Sequence, residues 1–504
     1  MTDKINIPTS NASQSNGKHE NGQSKSNNQN NHSNSVHPNG LGVKGANQYY
    51  NIQSVKQFNN PEEEEQKSPQ LVMLCYQNFA GVRQAKLIAG DKFRLDDRDA
   101  HSKFSTYGLF LPASKDVAVQ GVKFSGAPKQ LKLMSDHNSI RKSPFHKNQN
   151  LSFTRLYNPD DTPFVGCPRN ALYKALDAFK EMGGYELKIG IEIEFYLLNQ
   201  RTLKPFESNP ESSLTSLVTL IDDFEEIYQI MNQNGIEFEV GHKECGSGQY
   251  EIVLKYGEVM RTLDNYYLAK EIISQHFKKK GLLVTYIPKP FEDQAGTGSH
   301  VHISVWKDGR NCFGSLNGKW TLSDVGEHFM SGILNYFDAL CHFLTPSPNS
   351  IRRLQAQQYV GCYKVWGVEN KEAPIRLISS LKIGHPTQQF EIKTFDHTTN
   401  FYFAMACTIV FGMQGIKDKL RLPEPYNEDA HYLTEHERHQ MGITFLPNKF
   451  DQRKEIIESE QGQPLRDFFG DDLIRNVLLV HQEDFKHFQE LNFKDEMVQL
   501  LERY

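Results

Sequence analysis

Four short stretches of the chain put polar residues at every second position, where one face of a strand would carry them together. In Gly190-Ile191-Glu192-Ile193-Glu194-Phe195 two glutamates alternate with apolar residues. Successive side chains on a strand point to opposite faces, so Glu192 and Glu194 share one. Gln249 and Glu251 repeat the pattern, with Glu244 just upstream in a glycine-rich turn. His300, His302 and Ser304 alternate in His-Val-His-Ile-Ser-Val-Trp, and Glu391 and Lys393 alternate in Phe-Glu-Ile-Lys. Any one of these strands reads as an ordinary solvated face. Together they gather five glutamates and a histidine onto one surface, which would repel strongly without a counter-charge. A divalent cation supplies that charge. Carboxylate oxygens with a minority of imidazole suit Mg2+ or Mn2+ better than zinc.

Phosphate chemistry is the natural companion of such a site. The chain has no G-x-x-x-x-G-K-[ST] loop, which leaves metals and arginines as the means of holding phosphate oxygens. Candidate arginines are Arg352 and Arg353, after Pro348-Asn349-Ser350, and Arg376 in Ala-Pro-Ile-Arg-Leu-Ile. Gly296-Thr297-Gly298, just before His300, is a turn that would let a substrate approach the backbone closely.

Positioning these residues requires strands in quantity. Two short strands are expected on either side of Gly81, within Gln70 to Ile88. Pro144, Pro159, Pro163 and Pro168 then mark an irregular connection. Leu172, Leu176 and Phe179 lie on one face of an expected helix from Ala171 to Met182. Beyond Lys188, strands (to Leu198, Gly248 to Leu254, Leu283 to Tyr286, His300 to Trp306, Phe390 to Phe395) alternate with helices (Ser213 to Asn234, Met260 to Lys280, Val325 to Leu344). The last segment reads as mostly helical. The fold class is α+β.

Composition narrows the setting. The chain has 504 residues, 38% apolar, with a net charge of −5 and a mean hydropathy of −0.59. That balance gives no support for nucleic-acid or membrane-surface binding. The longest apolar run, Tyr402 to Met413, is well short of the roughly 20 residues a membrane span needs. Seven scattered cysteines, never in C-x-x-C spacing, disfavour a disulfide framework and point to a reducing compartment, with the cytoplasm as the default. Residues 1–67 are dominated by Asn, Ser, Gln, Gly and His, too few apolar groups to offset the entropy of ordering, so a disordered tail is expected.

At its polar strands the chain resembles the glutamine synthetase family, from about Leu71 to Tyr504. The segments that carry the resemblance are Ile-Gly-Ile-Glu-Ile-Glu-Phe, Glu244 to Glu251, Ala-Gly-Thr-Gly-Ser-His-Val-His-Ile-Ser-Val-Trp, Pro-Asn-Ser-Ile-Arg-Arg-Leu and Phe-Glu-Ile-Lys. The resemblance implies a β-grasp domain over 68–165, then a catalytic domain with a curved antiparallel sheet over 166–504, in a ring-shaped homo-oligomer. It implies that Glu194, Glu244 and Glu251 hold one metal, and Glu192, His300 and Glu391 a second. His302, Ser304, Lys371 and Arg376 would contact ATP. Arg353, Gly296 and Lys393 would contact the substrate, with Arg353 and Arg376 in catalytic roles. The implied reaction is ATP-dependent joining of glutamate to ammonia through γ-glutamyl phosphate.

Several positions depart from the family pattern. Tyr359 stands where a flap glutamate is expected, Lys371 and Lys393 replace arginines, and Ala295 replaces an asparagine. Lysine lacks the planar two-pronged donor of arginine. These changes sit on the amine and amino-acid side. They leave open a ligase for another amine, such as a polyamine, or a non-catalytic assembly protein of the same family.

Overall fold

Gly81 turns the chain at φ +77° between β1 (Leu71–Gln77) and β2 (Arg83–Ala89), which pair antiparallel. A Cβ at this position would lie 1.8 Å from the Thr398 carbonyl oxygen, so only glycine fits. The computed structural model describes residues 71–90, 101–124, 128–380 and 384–504; the expected tail over 1–67 lies outside them. The hairpin belongs to a six-stranded sheet ordered β2-β1-β6-β4-β3. Its other strands are β3 (His101–Ser105), β4 (Gln130–Ser135), β5 (Arg141–Lys142) and β6 (Gln149–Tyr157). Strand β6 runs parallel to β1, and β5 pairs with β6. Val72, Leu74, Leu131, Leu133 and Leu151 bury its inner face.

Strand β6 occupies what the prolines suggested was an irregular connection. Pro144 and Pro159 fall on either side of it, so none interrupts its ladder.

Helix α1 (Pro168–Gly183) starts with proline at its first position and ends at Gly184, φ +73°. It leads into β7 (Tyr185–Asn199), a central strand of a nine-stranded sheet. That sheet is ordered β14-β15-β16-β11-β7-β9-β8, with β10 on β7 and β12 on β11. The strands are β8 (Phe238–Lys243), β9 (Gln249–Glu258), β10 (Leu282–Thr285), β11 (Val301–Lys307) and β12 (Arg310–Asn311). After β13 (Tyr363–Lys364) come β14 (Trp366–Val368), β15 (Ile375–Ile378) and β16 (Gln389–Ile392). Strand β13 pairs apart from the sheet, with β17 (Thr444–Phe445). The large sheet is antiparallel except for β14 beside β15. The expected α+β class therefore holds.

Each polar strand has one buried apolar face. Ile189, Ile191, Ile193 and Phe195 of β7 are fully buried, as are Val301, Ile303 and Val305 of β11. Helix α4 (Val259–Lys279) follows β9 without a break and packs against β7. The helix expected over 213–234 is two, α2 (Leu214–Thr219) and α3 (Ile221–Gln233), separated at Leu220. That over 325–344 is likewise α5 (Asp324–Asn335) and α6 (Phe337–Leu344). Between them the ring of Tyr336 stacks on Phe411, centroids 4.9 Å apart. Phe411 lies on α7 (Phe401–Asp418), apolar on nearly all sides and packed against α1 and α5. The described residues form one compact unit; one hydrophobic core runs through both large sheets, and a smaller cluster around Cys362, Tyr363 and Ile443 lies apart from it. All seven cysteines are free thiols. Among the described residues no helix is long and apolar enough to cross a membrane.

Candidate active site

Register brings the polar positions of neighbouring strands side by side. Glu194 on β7 stands opposite Glu251 on β9, and Glu251 stands opposite His242 on β8. On the other flank His302 of β11 pairs with Glu391 of β16, and Glu391 with Arg376 of β15. Two groups result whose ligand atoms lie within 4.8 Å of one another, close enough to hold a metal ion: Glu192, His300 and Glu391, and His242, Glu244 and Glu251.

The first group is tightly knit. Glu192 accepts from His300 Nδ1 at 2.8 Å with one oxygen and from His302 Nε2 at 2.9 Å with the other. Glu391 Oε1 lies 3.1 Å from His300 Nδ1 and 3.1 Å from Lys393 Nζ. Its Oε2 accepts from Arg376 Nη1 at 3.2 Å, while Arg376 Nη2 reaches Glu369 at 2.6 Å. Burial acts to raise the Glu192 carboxyl, but the two imidazole hydrogen bonds outweigh it and hold the group well below the usual carboxylate range. Glu391 is likewise held low, with burial overcome by Lys393 and His300. Burial and Lys393 act to lower His300, yet its carboxylate partners prevail and raise it to about 9.

Between the groups sits Glu194. Its Oε2 accepts from the Gly298 backbone N–H at 2.8 Å and from Gln249 Nε2 at 3.2 Å, and its Oε1 lies 3.5 Å from His300 Nε2. In the second group His242 Nε2 is 2.7 Å from Glu244 Oε1, and His242 Nδ1 is 3.9 Å from Glu251. Burial, followed by the charges of Glu192, Glu194 and Glu244, pushes Glu251 up to about 10. Lys243, fully buried, donates to the carbonyls of Glu244 at 2.5 Å and Gly246 at 2.6 Å, which fixes the turn carrying Glu244.

Gly296 and Gly298 lie against Arg353. A Cβ on Gly298 would sit 2.5 Å from Arg353 Nη2 and 2.7 Å from His300 Nε2. The Gly296 carbonyl accepts from Gln249 Nε2 at 2.9 Å. Arg353 itself is 1% exposed. Its Nη1 donates to the carbonyls of Thr394 and Phe395, its Nη2 to that of Lys393, and its Nε has no partner. The guanidinium thus lies beneath the glycine loop rather than at the surface of the cleft. Lys371 is exposed, with Nζ 6.0 Å from the centre of the Tyr359 ring, and no ion pair joins it to the carboxylates. Ser304 Oγ donates to the Lys188 carbonyl at 3.2 Å and accepts from Trp306 Nε1 at 2.8 Å.

Three site neighbours escape the sequence pattern read strand by strand. His242 lies two residues before Glu244, but its relation to Glu251 depends on the β8–β9 register. Trp306 continues the even positions of β11. Tyr256 joins the same face through an irregularity in the β7–β9 register, where Ile189 pairs with Gly257 but Ile191 with Leu254. Tyr256 and Trp306 stack at 6.4 Å, and Lys188 Nζ lies 3.5 Å from the centre of the Trp306 ring.

The site is thus a largely antiparallel sheet with carboxylates and imidazoles on one face. The family model "Glutamine synthetase, catalytic domain" matches residues 165–499. The chain is 31% identical to type-1 glutamine synthetase 1 of Dictyostelium discoideum over 363 residues, 68% of this chain and 70% of that one. It is 31% identical to glutamine synthetase of Pyrococcus furiosus over 371 residues, 70% of this chain and 82% of that one. Among solved structures it superposes on a novel glutamine synthase homolog with a TM-score of 0.75 at 21% identity, covering 87% of this chain and 99% of that one. A GmaS/ADP complex superposes with a TM-score of 0.73 at 20% identity, covering 86% and 97%. The chain belongs to the glutamine synthetase family, and it is a ligase.

Proposed function

We propose that this ligase joins glutamate to ammonia or to another amine at the expense of ATP, through γ-glutamyl phosphate. The observation that carries the reading is the meeting of two carboxylate–imidazole groups on one sheet face, bridged by Glu194. Glu192, His300 and Glu391 would hold one divalent cation, and Glu194, Glu244 and Glu251 the other. The donors are carboxylate oxygens with few imidazoles and no thiolate, a set that fits Mg2+ or Mn2+. Bound there, such cations supply positive charge against the phosphate oxygens of ATP.

The chain's own groups do the rest. Arg376, held between Glu369 and Glu391 beside the first group, would stabilise the charge developing on the transferred phosphoryl group. His302 and Ser304 line the nucleotide side, with Lys371 at the rim and the Tyr256–Trp306 rings as a stacking surface for the base. Arg353 and Gly296 shape the substrate loop, and Lys393 presents an ammonium group to the acid. Holding the acyl phosphate and the amine together removes most of the remaining barrier. The reading extends to a division at 165/166 between a β-grasp domain and the catalytic domain, a ring-shaped homo-oligomer, and residence in the cytoplasm.

The test is formation of γ-glutamyl hydroxamate and release of phosphate from ATP, with Mg2+ or Mn2+, across ammonia, methylamine and polyamines. Turnover with ammonia supports glutamine formation. Turnover with larger amines alone assigns the amine. No turnover with any member of the panel, in protein that binds the metals, would sink the reading.

A further inference from the structure

Away from the carboxylate sheet, a cavity of about 430 Å3 opens between the β1–β2 hairpin, β6 and helix α4. Its walls are mainly apolar, formed by Met73, Leu151, Phe153 and Leu268 with the rings of Tyr76 and Tyr267. Protein interiors are close-packed, and an opening of this size forfeits dispersion contacts unless something fills it. Solvent reaches the polar part of the lining, which includes Gln77, Arg83, Gln84, Glu271 and Gln275, but the apolar stretch of wall gains only when an apolar occupant covers it.

The polar groups that do line the cavity are specific. Gln84 contributes a side-chain carbonyl oxygen, buried and without a hydrogen-bond partner. Leaving such an acceptor unmatched costs about 1–3 kcal/mol, so a donor on an occupant would be favoured. Arg83 is neutralised by Glu271, Nε to Oε1 at 2.6 Å. Lys279, exposed at the C-terminal end of α4 where the cavity opens, has no acidic partner among the described residues. The lining therefore carries one uncompensated positive charge at the mouth, one orphan acceptor inside, and flat apolar walls between them.

We propose that this cavity is a second ligand site, separate from the ligase centre, for a small acid with a flat apolar body and one N–H or O–H donor. The carboxylate meets Lys279 at the mouth, the body lies against Phe153 and Leu268, and the donor reaches Gln84. Its volume falls within the range of small-molecule sites.

Indole-3-acetate has these features and serves as the probe in a calorimetric titration of the full chain. Indole-3-acetamide lacks the charge, and 1-methylindole-3-acetate lacks the donor. The expected result is saturable binding of the acid, with each control weaker by about tenfold or more. Lys279→Glu, at an exposed helix end, should weaken the acid by a similar factor. Leu268→Trp, which fills the cavity, should remove binding, while both variants keep the parent ligase rate. Absence of saturable binding by indole-3-acetate overturns the proposal. Equal affinity for acid and amide does so too, as does undiminished binding in Lys279→Glu.

Discussion

Glu194 and Glu251 face each other directly across β7 and β9, 7% and 6% exposed, two carboxyls set inside a sheet where burial and mutual charge oppose ionising both. Like charges at opposed positions destabilise a sheet, and burial sharpens the repulsion. A cation bound between them would relieve that cost, so the residues' effect on stability and their proposed role in binding can be measured apart.

Replacement of Glu251 by Gln should therefore stabilise the metal-free protein while weakening metal binding. The gain expected is about 1–3 kcal/mol in urea unfolding with chelator present. Mn2+ affinity, measured by titration, should fall at least about tenfold in the same protein. A loss of stability in the metal-free state would contradict the repulsion described.

Glu192 is the hub of the other group, engaging both His300 and His302. Glu192→Ala should reduce hydroxamate formation by about a thousandfold or more with the circular-dichroism spectrum preserved. Retained activity would refute the assignment of the site.

Lys243 touches no reacting group, yet its ammonium fixes the backbone on both sides of Cys245. Lys243→Met should lower metal affinity by about 10–100-fold through misdirection of Glu244. Titration of Mn2+ should show this loss at saturating nucleotide, and Lys243→Arg should recover part of it. An unaltered dissociation constant in Lys243→Met would remove the lysine from this role.

Acid should loosen the fold through a histidine pair remote from the site. His481 Nε2 donates to the Phe79 carbonyl at 2.9 Å, so its Nδ1 is the acceptor for His342 Nε2, also at 2.9 Å. A proton added to Nδ1 would break that bond. Burial lowers the His481 value from 6.5 to about 4. The folded value lies below the unfolded one, so the unfolded chain takes up the proton first as pH falls. The stability contribution is complete above pH 6.5 and is lost on descent toward pH 4, about 3 kcal/mol in all. Urea midpoints of the parent and of His481→Gln should converge over this window; parallel pH profiles would exclude the pair as the cause.

Much of the site could be read from period-two spacing. Ile-Glu-Ile-Glu-Phe and His-Val-His-Ile-Ser each announce one polar and one apolar face, and the structure keeps both. What spacing cannot reveal is which strands become neighbours. His242 meets Glu251 only through the β8–β9 register, and Tyr256 reaches the site face only because that of β7–β9 shifts beside Gly190. The depth of Arg353 was equally hidden, because the carbonyls that enclose it belong to Lys393, Thr394 and Phe395, some forty residues later. Strand β6 is obscured in the sequence for a different reason: Pro144 and Pro159 flank it without entering its ladder.

Gly81 touches neither metal ligand nor substrate, yet its neighbours lock the first hairpin onto the segment just beyond Lys393. Gln77 donates to the Thr399 carbonyl at 3.2 Å and Asn400 to that of Asn78 at 2.9 Å. Any side chain added at Gly81 must push against Thr398. A random-mutagenesis screen scored only for lost catalysis will return residue 81 alongside the proposed metal ligands, some 300 positions away in sequence from the strand whose exit it disturbs.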